Sequence, residues 1–222
     1  MKGLFEFFDS LAANNNRPWF QVNKERYTAL RGEWIAGMNR VIAAVGAEWP
    51  EVAHQDASRC TYRIYRDVRF SPDKSPYKTY ISSSVADPAL RGCHSGIYVT
   101  AGVKSADTGI YAGVWAPEAP LLRKLRRAID DNAEEFLDIV NAPALVKLYG
   151  KGWAGDALKT APKGYDKEHP MIEYLRLKDI GKFCPMTRRD FESRDWPEIV
   201  AERILPALPL VRFIDYSILE EV

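Results

Sequence analysis

Two prolines four residues apart, Pro72 and Pro76, interrupt the most densely charged stretch of the chain, RCTYRIYRDVRFSPDKSPYKTY over residues 59–80, and restrict what it can fold into. Proline fixes its own φ and cannot donate to a β ladder. Residues 71–76, with two serines besides, therefore read as a stiff loop and not as helix or central strand. Ahead of the loop the side-chain period is two: Cys60, Tyr62, Ile64, Arg66, Val68 and Phe70 share one face, and Thr61, Arg63, Tyr65, Asp67 and Arg69 the other. The alternation predicts a strand over 60–70 with one polar face, and 77–85 as the returning strand.

Two further alternating runs, 94–103 and 108–115, are joined by four residues, the pattern of a hairpin, and a fifth strand is expected near 178–184. Upstream the period is helical. Leu4, Phe7, Phe8 and Leu11 share a face that ends at Asn14, Asn15 and Asn16, and Pro18 restarts a helix whose apolar positions continue through Trp34, Met38 and Val45 to Trp49, weakened by Gly32 and Gly37. Beyond Pro117, Leu121, Leu122, Leu125, Ile129, Phe136, Ile139 and Val140 predict a helix reaching Pro143, with Arg123, Lys124, Arg126 and Arg127 as its solvated face. A short helix is expected after Pro170, and Pro206 and Pro209 should break a C-terminal helix near Leu205.

The fold class expected is α+β: a mainly antiparallel sheet of four to five strands with helices packed on one face. With 222 residues, 46 % of them hydrophobic, one core suffices, so 1–222 reads as a single domain. Its parts are a helical hairpin 1–50, a sheet region 59–116 and a helical C-terminal part 117–222. No apolar run approaches the roughly 18 to 20 residues of a membrane span, and the start MKGLFEFFDSLAANN is acidic and lacks a cleavage site, so no membrane partner and a cytoplasmic location are expected. Three scattered cysteines and three scattered histidines argue for no metal. The absence of GxxxxGK[ST], GxGxxG and GxSxG removes phosphate-loop, dinucleotide-fold and serine-hydrolase signatures and leaves the cofactor and the reaction open.

Six cations in the 59–80 stretch (Arg59, Arg63, Arg66, Arg69, Lys74, Lys78) face two carboxylates (Asp67, Asp73), a local excess of four positive charges in a chain of net charge +1. That imbalance points to an anionic partner, with a small anionic ligand as the first candidate. Arginine forks take carboxylate or phosphate in two parallel hydrogen bonds, so Arg63, Arg66, Arg69, Lys74, Tyr77 and Lys78 are the candidate ligand-binding residues. A second basic segment carries Lys159, Lys163, Lys167 and His169. Folded over the first, it would make His169 the acid–base candidate, with Asp67 as its catalytic partner in a hydrolytic variant of the site. Two other readings compete. The motif is an internal salt-bridge staple, which requires Arg63 and Asp67 in buried pairs, or it tracks nucleic acid with Tyr65, Tyr77 or Trp19 stacking bases, which the balanced overall charge disfavours.

The strings NNNRPWFQVNKERY (14–27), YRDVRFSPDKSPYKT (65–79), GIYVTAG with a following GVWAP (96–102, 113–117) and LKTAPKGYDKEHP (158–170) closely resemble, in order and spacing, an uncharacterised bacterial and fungal domain-of-unknown-function family with the signature RDxRFSxDKSPYK. The resemblance covers almost the whole chain and implies one unit with a named motif. It carries over no catalytic residue. Residues 109–113 hold fewer glycines than the run that such proteins commonly place before GxWxP, which argues against a phosphate-cradling loop there.

Overall fold

The computed structural model describes residues 1–90 and 92–220. Along the chain come α1 (Leu4–Ala13), α2 (Arg17–Val22), α3 (Lys24–Gly46), α4 (Ala57–Cys60), β1 (Tyr80–Val85), β2 (Ser95–Gly102), β3 (Gly109–Val114), α5 (Ala119–Asp131), α6 (Ala133–Asn141), α7 (Pro143–Tyr149), α8 (Ile172–Leu175), β4 (Ile180–Pro185), α9 (Arg188–Glu192), α10 (Trp196–Ile204) and α11 (Leu208–Leu219). The fold is α+β, and its four strands form one antiparallel sheet in the order β1-β2-β3-β4. The chain divides into two compact units: Met1–Val85 with Tyr98–Ile110 and Pro185–Glu202, and Ala86–Ile97 with Tyr111–Cys184 and Arg203–Val222.

In the first unit α1 buries Leu4, Phe5, Phe7, Phe8 and Leu11. The helix expected over 17–49 is two. Asn16 caps α2 by accepting the Trp19 N–H at 3.0 Å. At Asn23 the side chain turns back to donate to the Trp19 carbonyl at 2.9 Å, the local competition with helical hydrogen bonding that asparagine offers. Along α3, Trp34 is fully buried, donates to Ser83 Oγ of β1 at 2.8 Å and stacks on Trp196 of α10 with ring centroids 5.2 Å apart. Gly37 admits that indole: a Cβ there would lie 2.0 Å from Trp196 Cζ2.

The strand expected over 60–70 does not form. Asp56 accepts the Ser58 N–H at 2.8 Å and caps α4, so Cys60 is helical. The arm that follows lies antiparallel to 76–83 through isolated bridges only, Thr61 to Ser83 and Tyr65 to Tyr77. The bridged positions are four apart in sequence on one side and six apart on the other, so the register slips by two and no continuous ladder can propagate. Arg63, Asp67 and Arg69 consequently sit on an irregular arm and loop, and not on the open sheet face anticipated for them.

In the second unit a single core joins Leu125 and Ile129 of α5, Phe136 and Val140 of α6, Leu175 of α8, Ile180 of β4, and Leu210, Phe213 and Ile214 of α11. The helix expected through to Pro143 breaks at Asn132, whose side chain bonds back to the Ala128 carbonyl at 3.0 Å. The anticipated C-terminal break occurs as a short 3-10 turn, Leu205–Ala207, with Pro206 inside it.

Candidate functional site

The 67–76 loop closes on itself before it offers anything to a ligand. Arg66 donates through Nη1 to Asp73 Oδ2 at 2.5 Å and to the Ser75 carbonyl at 3.2 Å, and through Nη2 to Ser71 Oγ at 3.3 Å. Asp73 in turn accepts the Ser75 N–H at 2.9 Å and its hydroxyl at 2.5 Å, an Asx-type turn ahead of Pro76. Lys74 donates to the Val68 carbonyl at 2.9 Å. Arg69 grips Asp67 with Nε at 3.0 Å and Nη2 at 2.7 Å, both side chains being exposed. Three of the six cations thus have partners within the motif.

Both carboxyls are held at about 2, Asp67 chiefly by the Arg69 hydrogen bond and Asp73 chiefly by the Ser75 hydroxyl, with Arg66 adding to it. Each stays ionised across the physiological range.

The loop is docked by Asn15, in the corner after α1, whose side chain bonds both backbone groups of Tyr77. Tyr77 itself is 2 % exposed, stacked on Phe20 with centroids 4.1 Å apart. Its ring is core, and both its backbone groups are taken by Asn15.

Beside this assembly lies a cleft of about 630 Å³ within the first unit. Arg66, Lys78 and Lys104 line it together with Asp67, Asp73 and Asp107, three cations against three carboxylates, with Asn15, Ser75 and Tyr80 among the remaining wall residues. Of the candidate residues, Arg66, Asp67, Tyr77 and Lys78 belong to the wall, whereas Arg63, Arg69 and Lys74 do not. Sequence reasoning missed Lys104 and Asp107, which lie in the β2–β3 connection. Only the hairpin-loop pattern at 104–107 marked them, and it carries no chemistry.

Lys78 differs from the other cations. Its ammonium stands 5.3 Å from the Tyr62 ring centroid and 5.7 Å from that of Tyr80, and it makes no ion pair among the described residues. Burial lowers its pKa, and the Arg63 charge lowers it further. Arg63 is exposed on the arm and likewise has no ion-pair partner among the described residues.

His169 belongs to the second unit, Asp67 to the first. The Met171 N–H donates to His169 Nδ1 at 3.2 Å, which puts the ring proton of the neutral tautomer on Nε2, 3.1 Å from Asp130 Oδ1. The histidine therefore has a carboxylate partner of its own.

A family model described as "Conserved hypothetical protein (DUF2461)" matches residues 3–213. No curated protein and no solved structure matches the chain.

Proposed function

We propose, for a chain that belongs to the DUF2461 family of conserved hypothetical proteins, that the cleft of the first unit binds a small phosphate- or carboxylate-bearing ligand, with Lys78 of its wall supplying the cationic contact. The observation that carries this reading is the state of Lys78. An ammonium partly withdrawn from water, set beside a second cation and without a carboxylate, is destabilised until an anion arrives. Arg66, Arg69 and Lys74 act differently. Their intramolecular bonds hold the loop, so that the wall of the cleft is already ordered when ligand enters, which lowers the entropic cost of binding.

The even balance of charge along the wall supports a compact ligand over a polyanion. A nucleic-acid groove needs a run of cations in excess to displace counterions, and this wall carries as many carboxylates as cations. Its volume lies within the few hundred to a thousand Å³ of small-molecule sites. Asp67, kept ionised by Arg69, serves as a hydrogen-bond acceptor for ligand hydroxyls.

Thermal denaturation of the wild type, Lys78→Met and Arg69→Ala against inorganic phosphate, a pentose phosphate, citrate and a short oligonucleotide tests the reading. Ligand that binds only the native state raises Tm. Expected is stabilisation by one of the small anions, lost in Lys78→Met and retained in Arg69→Ala, with Lys78→Met no less stable than wild type when ligand-free. A response to the oligonucleotide alone, or a small-anion response unchanged in Lys78→Met, would overturn it.

A further inference from the structure

We propose a second ligand site, in the other unit, where Arg126 at the floor of an apolar-walled cleft takes the carboxylate of a small amphipathic organic acid. Arg126 lies on α5 and is 8 % exposed. Its Nη2 donates to the Leu177 carbonyl at 3.0 Å, its Nε is buried with no hydrogen-bond partner, and it makes no ion pair among the described residues. A guanidinium cannot shed its proton near neutral pH, so a buried one without a counter-charge carries an uncompensated desolvation cost.

The cleft in front of it measures about 660 Å³. Ala119, Leu122, Pro162 and Tyr165 form its apolar walls, and Arg123 and Lys163, both exposed and without ion pairs among the described residues, stand at its rim. Its two acids are already engaged. Asp131 lies 3.7 Å from Arg127, and Asp130 faces His169 at 3.1 Å. What remains uncompensated is Arg126, with two further cations above it.

The chemistry of the occupant follows from the lining. A planar fork matches a planar carboxylate, two rim cations steer an anion inward, and walls of proline, leucine and tyrosine reward an apolar body while offering few partners to the hydroxyls of a sugar phosphate. The polar cleft of the first unit has the opposite character.

Isothermal titration of the full chain with octanoate, acetate and inorganic phosphate decides the matter. Octanoate should bind, with acetate at least tenfold weaker because it lacks the apolar chain, and phosphate weaker still. Arg126→Met should weaken octanoate binding at least tenfold; because it also leaves the Leu177 carbonyl without its donor, its ligand-free Tm should fall, and binding is compared well below the unfolding transition of both proteins. Arg123→Glu, an exposed change that does not depend on core packing, should weaken it several-fold and serves as the readout should Arg126→Met fail to fold. Lys78→Met should leave octanoate binding unaltered, which separates this site from the one in the first unit. The assignment is overturned if the wild type binds no octanoate, if phosphate binds more tightly than octanoate, or if Arg126→Met and Arg123→Glu bind octanoate as the wild type does.

Discussion

Asn15 holds Tyr77 by both of its backbone groups: the amide Nδ2 donates to the Tyr77 carbonyl at 2.9 Å and Oδ1 accepts the Tyr77 N–H at 3.1 Å, across 62 residues of sequence. The asparagine side chain reproduces the two-way bonding of a neighbouring strand where β1 has not yet begun, and it ties the corner after α1 to the basic loop. Asn15→Ala leaves a partly buried N–H and C=O without protein partners, which costs about 1–3 kcal/mol. Asn15→Asp keeps the acceptor but sets a carboxylate oxygen against the carbonyl, and should cost at least as much at pH 7. Urea unfolding should show a lower midpoint with unchanged slope in both; a midpoint equal to the wild type in Asn15→Ala would remove Asn15 from the assembly.

Two glycines in one helix should answer the same substitution with opposite signs. Gly32 has open space around its Cβ position, so Gly32→Ala should stabilise α3 by about 1 kcal/mol through helix propensity alone. At Gly37 the same propensity gain meets the Trp196 indole, with the added Cβ 2.0 Å from Cζ2 and the ring buried against Trp34. Overpacking of a fixed core costs about 1–3 kcal/mol, which outweighs the propensity, so Gly37→Ala should be destabilised. Thermal unfolding of the pair checks both signs.

Those glycines also show how far the sequence could be read. Both appear as weak points in a helical pattern, which is correct for Gly32. Nothing local distinguishes Gly37, because its reason lies 159 positions along the chain in Trp196. The strands at 95–102 and 109–114 match the alternating runs at 94–103 and 108–115, and all but one of their residues are buried. The arm after Cys60 has the same period but not the same fate: the α4 cap and the two-residue slip of register override it. At Arg126 a signal was present and outweighed. The residue stands four after Leu122 and three before Ile129, on the apolar stripe of α5, while the cluster of four cations around it suggested a solvated face. For the basic loop, an excess of four positive charges does not say which cations the fold will bind internally and which it will leave without a partner in the motif.

The two carboxyls of the loop should separate by their response to salt. Both fold with a pKa of about 2, below the ordinary carboxylate value, so the stability they contribute is complete above the unfolded value of 3.8 and is lost as the pH falls towards 2. Asp67 owes its position first to an exposed arginine, Asp73 first to a serine hydroxyl. Raising ionic strength to about 1 M shortens the screening length to about 3 Å and should move the Asp67 midpoint upward more than that of Asp73. Side-chain carboxyl carbon shifts followed by NMR from acid to neutral pH would show this, and equal displacement of the two would contradict the assignment of causes.

Lys182 is a buried ammonium whose three hydrogens have three acceptors: the carbonyls of Gly150, Lys151 and Gly152 at 3.1, 3.2 and 3.1 Å, with the Trp153 ring centroid at 4.7 Å. It is 1 % exposed, and burial lowers its pKa. Replacing a buried charge with an apolar side chain is often neutral, since its desolvation cost is recovered, but that holds when the partner is removed with it. Here the partners are backbone carbonyls that remain, each costing about 1–3 kcal/mol if left bare. A neighbouring cleft of about 170 Å³, lined in part by Lys151 and Trp153, can admit water to some of them, which reduces the loss without abolishing it. Lys182→Met should therefore be destabilised by about 2–4 kcal/mol in urea, with the 150–152 segment losing hydrogen-exchange protection before the core that contains Phe136. A Lys182→Met protein as stable as the wild type would mean that the three carbonyls find water as readily as they find the ammonium, and that the lysine is a passenger in this loop and not its anchor.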